Sequence, residues 1–248
     1  MVAVNPGLAR PLWATVHVWG AAATWVPWFA ARASLDRPSL RGLRGLHFAK
    51  FLGTGHGRTF SPRDADWRHW ALFATWSAPE HADAFDDSPL VRRRDAASEE
   101  RLRLVLEPVT WRGSWDGRAP FGSAEARGEH RGPEPVAALT RARLALGRHT
   151  AFRRAVPAIA AELRTSPGKI MAFGVGENPF GRQGTFSVWH DADAMRAFAH
   201  DSPAHRRAVR LTPRTRWYAE ELFATFRVQR MSGSHAGTTY GSTAKAAG

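Results

Sequence analysis

The sequence predicts an α+β protein built from two tandem ferredoxin-like repeats, and three observations carry that prediction. Ordered segments recur between the two halves of the 248-residue chain. Each half reads strand, helix, strand, strand, helix, strand, which is the β-α-β-β-α-β unit. A hydrophobic fraction of 44% with 11 Trp supplies apolar surface for a sizeable core.

The recurrence is clearest in the middle of each half. Ala71-Leu-Phe-Ala-Thr-Trp76 answers Gly184-Thr-Phe-Ser-Val-Trp189, and nine residues beyond each Trp stands Phe85 or Phe198. Asp87-Ser88-Pro89 answers Asp201-Ser202-Pro203, Phe51–Gly55 answers Ala172–Gly176, and Arg101–Leu106 answers Glu221–Phe226. Pro11–His17 is matched by position with Pro135–Arg141.

In the first copy, strands are expected at 12–19, 46–53, 69–76 and 101–107, with helices at 22–34 and 78–97. In the second, strands are expected at 135–143, 169–175, 184–189 and 220–228, with helices at 147–164 and 191–211. Alternating Leu102, Leu104 and Leu106 mark a strand, while Ala194 and Phe198 suit an amphipathic helix. Ser88 and Ser202, each before Pro, are read as N-caps of new helical segments. The repeats thus span 11–115 and 135–230, joined by a Gly-, Pro- and charge-rich linker at 116–134 and followed by a disordered tail at 231–248. Two open sheets each leave one face to cover, so the units pack face to face or close into a barrel.

From Arg10 to Arg32 no charged residue intervenes, which superficially resembles a membrane span or signal peptide. The matched stretch of the second copy continues through Arg148, Arg153 and Arg154, which a bilayer centre would not accept cheaply. Residues 11–32 are therefore read as a strand and a packed helix, in a cytoplasmic protein without a transmembrane segment that could sit peripherally at a membrane. Absence of Cys excludes disulfides, thiolate haem ligation, iron–sulfur clusters and Cys nucleophiles. The net charge of +13 invites nucleic acid, but the Arg residues are scattered and no groove-reading motif accompanies them. No nucleic-acid partner is expected. The Gly53-Thr-Gly55-His-Gly57 run has the wrong spacing for a dinucleotide fingerprint and is read as a hairpin turn.

The copies differ at one informative place. His205, in Pro203-Ala-His-Arg-Arg, sits on a first helical turn where the first copy has Val91. A His there can ligate a metal or haem iron through Nε2, or serve as a surface or capping residue. His190 and His200 are nearby, without a two-His metal-binding spacing.

Several stretches carry a resemblance to a known family: Phe48-Ala-Lys-Phe-Leu-Gly-Thr-Gly55, Trp111-Arg-Gly-Ser-Trp-Asp-Gly117, Gly174-Val-Gly-Glu-Asn-Pro179, Gln183-Gly-Thr-Phe-Ser-Val-Trp189 and Trp217-Tyr-Ala-Glu-Glu-Leu-Phe223. They resemble spheroidene monooxygenase, the acyclic carotenoid 2-ketolase family, over roughly residues 12–228. The resemblance implies a dimeric-α+β-barrel-type fold within one chain, a haem (iron) cofactor and a hydrophobic substrate, carotenoid or secondary metabolite. It makes His205 the expected axial iron ligand. Lys50, Arg141 and Arg182, at strand ends, are candidates for the haem propionates, with solvated charge as the alternative. Gln183 is the candidate distal hydrogen-bond donor or a loop-capping amide, and Arg182 is grouped with it near the reaction. Phe173, Phe186, Trp189 and Phe198 are candidate cavity walls or plain core. An electron donor or peroxide would be the co-reactant, and pairing of edge strands would make a homo-oligomer. The alternatives left open are a haem enzyme on a nitrogenous substrate such as an aldoxime, a cofactor-free oxygenase or isomerase, and a non-catalytic haem or small-ligand carrier.

Overall fold

The computed structural model describes residues 12–58, 64–122, 126–130, 132–145, 149–178, 182–204, 206–207, 210 and 218–241. The first half runs β1 (Trp13–Ala21), α1 (Val26–Leu35), β2 (Leu46–Gly55), β3 (Ala65–Trp76), α2 (Pro79–Asp86), α3 (Pro89–Ala96) and β4 (Ser98–Gly113). A short β5 (Ala126–Arg127) precedes the second half. That half runs β6 (Val136–Leu144), α4 (His149–Thr165), β7 (Lys169–Asn178), β8 (Arg182–Trp189), α5 (Ala192–Asp201) and β9 (Tyr218–His235), with β10 (Thr238–Tyr240) closing a final hairpin. No helix among the described residues is long and apolar enough to cross a membrane.

Of the two arrangements open to paired units, the chain adopts the barrel. Strand order is β4-β1-β3-β2 in the first half and β9-β6-β8-β7 in the second, the same permutation twice. Antiparallel pairing of β2 with β7 and of β4 with β9 joins the halves, so eight strands close on themselves. The long seam runs from Leu102↔Gly233 to Gly113↔Leu222.

Register also corrects the repeat alignment. Trp13 pairs with Trp76, and Val136 pairs with Trp189, so Trp13 and Val136 are equivalent. The position match of Pro11 with Pro135 is therefore out by one residue. In a strand that error moves every side chain to the other face, and His17 is the counterpart of Thr140, not of Arg141. The helical span 78–97 divides at Ser88 as its cap signal predicts, the hydroxyl opening α3 by accepting from Val91 N–H at 3.3 Å. Other expectations change for equally local reasons. Gly53 and Gly55 lie in β2 at the β2–β7 seam, not in a hairpin turn. The tail is ordered through Tyr240: Met231, Ser232 and Gly233 lack apolar periodicity, yet β4 satisfies their backbone groups. The linker begins inside the fold, because Asp116 (φ 51°) and Gly117 (φ 69°) turn the chain back and bury Phe121.

Strand alternation sorts the apolar residues into two environments. Val16, Val18, Phe73, Leu104, Leu139, Phe173, Phe186 and Phe226 face inward and fill the barrel. Trp19, Phe29, Trp76, Phe85 and Val91 pack between the outer face of the first half and its helices. Buried among them, Arg94 lies 4.5 Å above the Phe51 ring and 5.2 Å from Trp19. Its charge is met by Asp36, which is fully buried and accepts from Arg94 Nη2 at 2.9 Å and from Arg93 at 2.9 Å. A buried ion left without its partner is strongly destabilising. Asp36→Ala should therefore lower unfolding free energy by about 3–5 kcal/mol in a denaturant titration. A loss below about 1 kcal/mol, the size of an exposed pair, would show that Arg94 finds water instead.

Candidate functional site

The two halves cover the same outer sheet face with helices but build that face from different residues. In the second half, β6, β8, β7 and β9 align Ala138 with Ser187, Ala172 and Thr225. The next row is Thr140, Thr185, Gly174 and Phe223, and the next is Ala142, Gln183, Gly176 and Glu221. Since Leu139 and Phe186 point inward, these residues point toward α4 and α5. The equivalent first-half positions hold His17 for Thr140, Trp19 for Ala142, Leu72 for Thr185, Phe51 for Gly174 and Trp70 for Gln183. At these five positions large side chains fill the space under the helices in the first half and smaller ones stand in the second, whereas Thr15, Ala49, Gly53 and Ala74 are as small as their counterparts Ala138, Ala172, Gly176 and Ser187. Thr140, Thr185 and Gln183 stay half-buried beneath the helical layer.

Trp189 closes one end of this face. It is buried, stacks on Phe198 of α5 at 5.4 Å and 28°, and packs with Leu163 of α4. The α5 helix is capped by Asp191, whose carboxylate accepts from Ala194 N–H at 2.7 Å. It ends at Ser202, and a new helical turn begins at Pro203. Glu162 of α4 pins that turn by accepting from Ala204 N–H at 3.1 Å and from the Ser202 hydroxyl. His205 lies outside the described residues. His190 and His200 are exposed.

Of the predicted site residues, Gln183, Trp189 and Phe198 belong to this face. Phe173 and Phe186 point the other way, 5.5 Å apart and buried inside the barrel. Lys50, Arg141 and Arg182 do converge, but at one end of the barrel interior. Arg141 is buried, donates to Glu177 at 2.6 Å and to Glu220, and lies 3.3 Å from Asp116. Lys50 bonds Asp116 and reaches Glu177 at 3.4 Å, while Arg182 lies 3.2 Å from Asp116. Three cations thus face three carboxylates. Trp115, fully buried, lies under the Arg141 guanidinium at 5.4 Å, stacks on Phe73, and donates Nε1–H to Glu177 at 2.8 Å.

Sequence reasoning found the cations and missed Asp116, Glu177, Glu220 and Trp115. The available signal was that an Arg alternating with Ala137 and Leu139 must point into the core, which demands carboxylates. Gly113 belongs to the same device: with φ 88°, a Cβ there would lie 2.1 Å from the Glu221 carbonyl oxygen.

Comparison with known proteins gives the family. No protein-family model matches the chain. The spheroidene monooxygenase of Rhodobacter capsulatus is 35% identical over 213 residues, covering 86% of this chain and 88% of that protein. The chain belongs to the spheroidene monooxygenase family. Its member from Rubrivivax gelatinosus is 35% identical over 202 residues, covering 81% of this chain and 75% of that protein. In Cereibacter sphaeroides the relative is 31% identical, and the chain spans 61% of its length. Among solved structures, an aldoxime dehydratase shares the fold at TM-score 0.56 and 10% identity, over 91% of this chain and 83% of its own. Family membership places the chain among proteins named as monooxygenases, hence oxidoreductases.

The barrel-end cluster has a definite pH signature. Burial opposes ionisation of Glu220, but the Gly117 N–H and Arg141 outweigh it and hold its pKa below the ordinary 4.5. Asp116 is likewise lowered, burial being outweighed by Lys50. Groups with depressed pKa contribute stability above their unfolded value and lose it as pH falls through the folded value. Arg141→Leu should cost about 3–5 kcal/mol at neutral pH. Stability measured against pH should show the gap to the parent narrowing below 4.5 as both carboxyls protonate. A gap that stays constant on acidification would mean that Arg141 does not hold these carboxylates.

Proposed function

We propose that the chain is a haem-dependent monooxygenase of the ketolase type, acting on a hydrophobic, carotenoid-like substrate. Cofactor and substrate would occupy the helix-covered outer face of the second half. The names of its relatives support the oxygenation and the carotenoid. The observation that carries the site is the exchange of His17, Trp19, Phe51 and Trp70 for Thr140, Ala142, Gly174 and Gln183. A close-packed interior has no vacant layer under its helices, and the first half obeys that rule with large side chains. The second half has small residues where a flat, apolar group needs room. The barrel interior offers no comparable space, being filled by Phe73, Trp115, Phe121 and Phe226.

Bound haem would supply the redox-active iron, with dioxygen and an external electron donor, or peroxide, as the oxidant. The chain's residues do the rest. His205, which lies outside the described residues, would hold the iron; it follows Ala204 in the sequence, whose N–H donates to Glu162 of α4. Trp189 and Phe198 exclude water from one end and offer aromatic surface to an extended apolar chain. Gln183, half-buried on this face, would donate a hydrogen bond to a polar atom of the bound ligand. We assign Lys50, Arg141 and Arg182 to closing the barrel end, because each is already matched by a carboxylate on the opposite face of the sheet.

The test is an absorption spectrum of the full chain expressed with haem precursor, beside Ala142→Trp and His205→Ala. The parent should show a Soret band that His205→Ala abolishes or shifts. Ala142→Trp restores the first-half side chain and should abolish it with an unchanged far-ultraviolet circular dichroism spectrum. A colourless parent that takes up no added haemin would overturn the haem reading and favour a cofactor-free oxygenase. Undiminished haem in a folded Ala142→Trp would move the site off this face.

A further inference from the structure

The barrel end opposite Arg141 holds a second polar cluster that the proposed reaction does not use. Its geometry starts from a glycine. Gly20 of β1 pairs with His69 of β3 on one side and with Glu100 of β4 on the other. A Cβ at Gly20 would lie 2.9 Å from Glu100 Cβ and 3.0 Å from His69 Nε2. Because Gly20 has none, the two side chains meet across it, with His69 Nε2 2.9 Å from Glu100 Oε2. The third member is His235, at the turn between β9 and β10. Its ring lies 4.7 Å from His69 and 5.2 Å from Phe173, and its side chain is buried.

We propose that His69, Glu100 and His235 form a binding site for one divalent transition-metal ion, of which zinc is the best-matched representative. Their three ligating atoms lie within 4.8 Å of one another. Two imidazole nitrogens and one carboxylate oxygen are a borderline donor set that suits zinc and its neighbours better than calcium or magnesium.

Three further observations point to a ligand and not merely to a hydrogen-bonded cluster. His235 Nδ1 is buried with no hydrogen-bond partner, and an orphaned buried nitrogen is costly unless something accepts its lone pair. His69 Nδ1 lies 2.7 Å from Asp66 Oδ2, the outer-sphere carboxylate that orients a ligating imidazole with its other nitrogen toward the metal. Glu100 is aimed by the backbone N–H groups of Ala236 and Gly237, at 2.8 and 2.7 Å. An ion here would tie β3, β4 and the terminal hairpin together where the long seam begins. Solvent can complete the coordination, since Glu100 keeps 23% of its side-chain exposure.

The full chain, stripped with a chelator and dialysed, would be titrated with zinc chloride by calorimetry and melted with and without zinc. One ion per chain should bind and raise the melting temperature. His235→Phe and Glu100→Gln should abolish that binding, and Asp66→Asn should weaken it about 10- to 100-fold. Zinc-edge X-ray absorption of the parent, which does not depend on any variant folding, should show two imidazole nitrogens and a carboxylate oxygen at about 2.0–2.2 Å. No binding at micromolar zinc, binding that survives in folded His235→Phe, or an edge spectrum without two imidazoles would each overturn the site. A haem-binding result, positive or negative, leaves this test untouched.

Discussion

Closure of the sheet is the constraint from which everything else follows. Pairing along β4–β9 and β2–β7 leaves the eight barrel strands no free edge and commits one face of each to the interior. Side chains of period two must then either meet in the middle or face the helices. The middle is filled by aromatic and aliphatic residues, so polar groups facing inward are confined to the two ends. Arg141 with its carboxylates occupies one end, and His69 with Glu100 and His235 the other. Both clusters depend on closure, since Lys50 of β2 reaches Glu177 of β7 across one seam and His235 of β9 reaches Glu100 of β4 across the other.

Duplication then allows the halves to diverge on the outer face without disturbing the barrel. In the first half that face is stabilised as core: Trp19, Phe51, Trp76 and Phe85 pack under α1 to α3, and the Arg94–Asp36 pair is buried with them. In the second half the positions of His17, Trp19, Phe51, Trp70 and Leu72 carry Thr140, Ala142, Gly174, Gln183 and Thr185. Under the proposed function, the packing lost there is the cost of a binding face, with stability supplied by the first half.

Much of this was legible in the sequence because period-two alternation and cap signals are local. The order of elements along the chain and the Ser88 cap rest on neighbours in the chain, and the strand-plus-helix reading of the apolar N-terminal stretch rests on its match in the second copy. What was not legible depends on cross-strand register. A one-residue slip in aligning β1 with β6 hid the substitution of small for large residues. Lys50, Arg141 and Arg182 were read by their place at strand ends, and alternation with Phe48, Leu139 and Phe186 turns all three into the barrel end. Asp116 and the Met231–Tyr240 hairpin were read as linker and tail because Gly, Ser and Asp signal turns in isolation. The partner strand β4 pairs Met231 to Gly233, and Asp116 is held by Lys50, Arg141 and Arg182.

The central claim is that the helix-covered face of the second half is where this chain binds its cofactor. Hydrogen–deuterium exchange of the full chain with and without added haemin tests it most directly. The account predicts slowed exchange in β6 and β8 and in the helices above them, with the first half and the Trp115 end of the barrel unchanged. Protection confined to β1–β3 or to the barrel ends, with β6 and β8 unaffected, would contradict it.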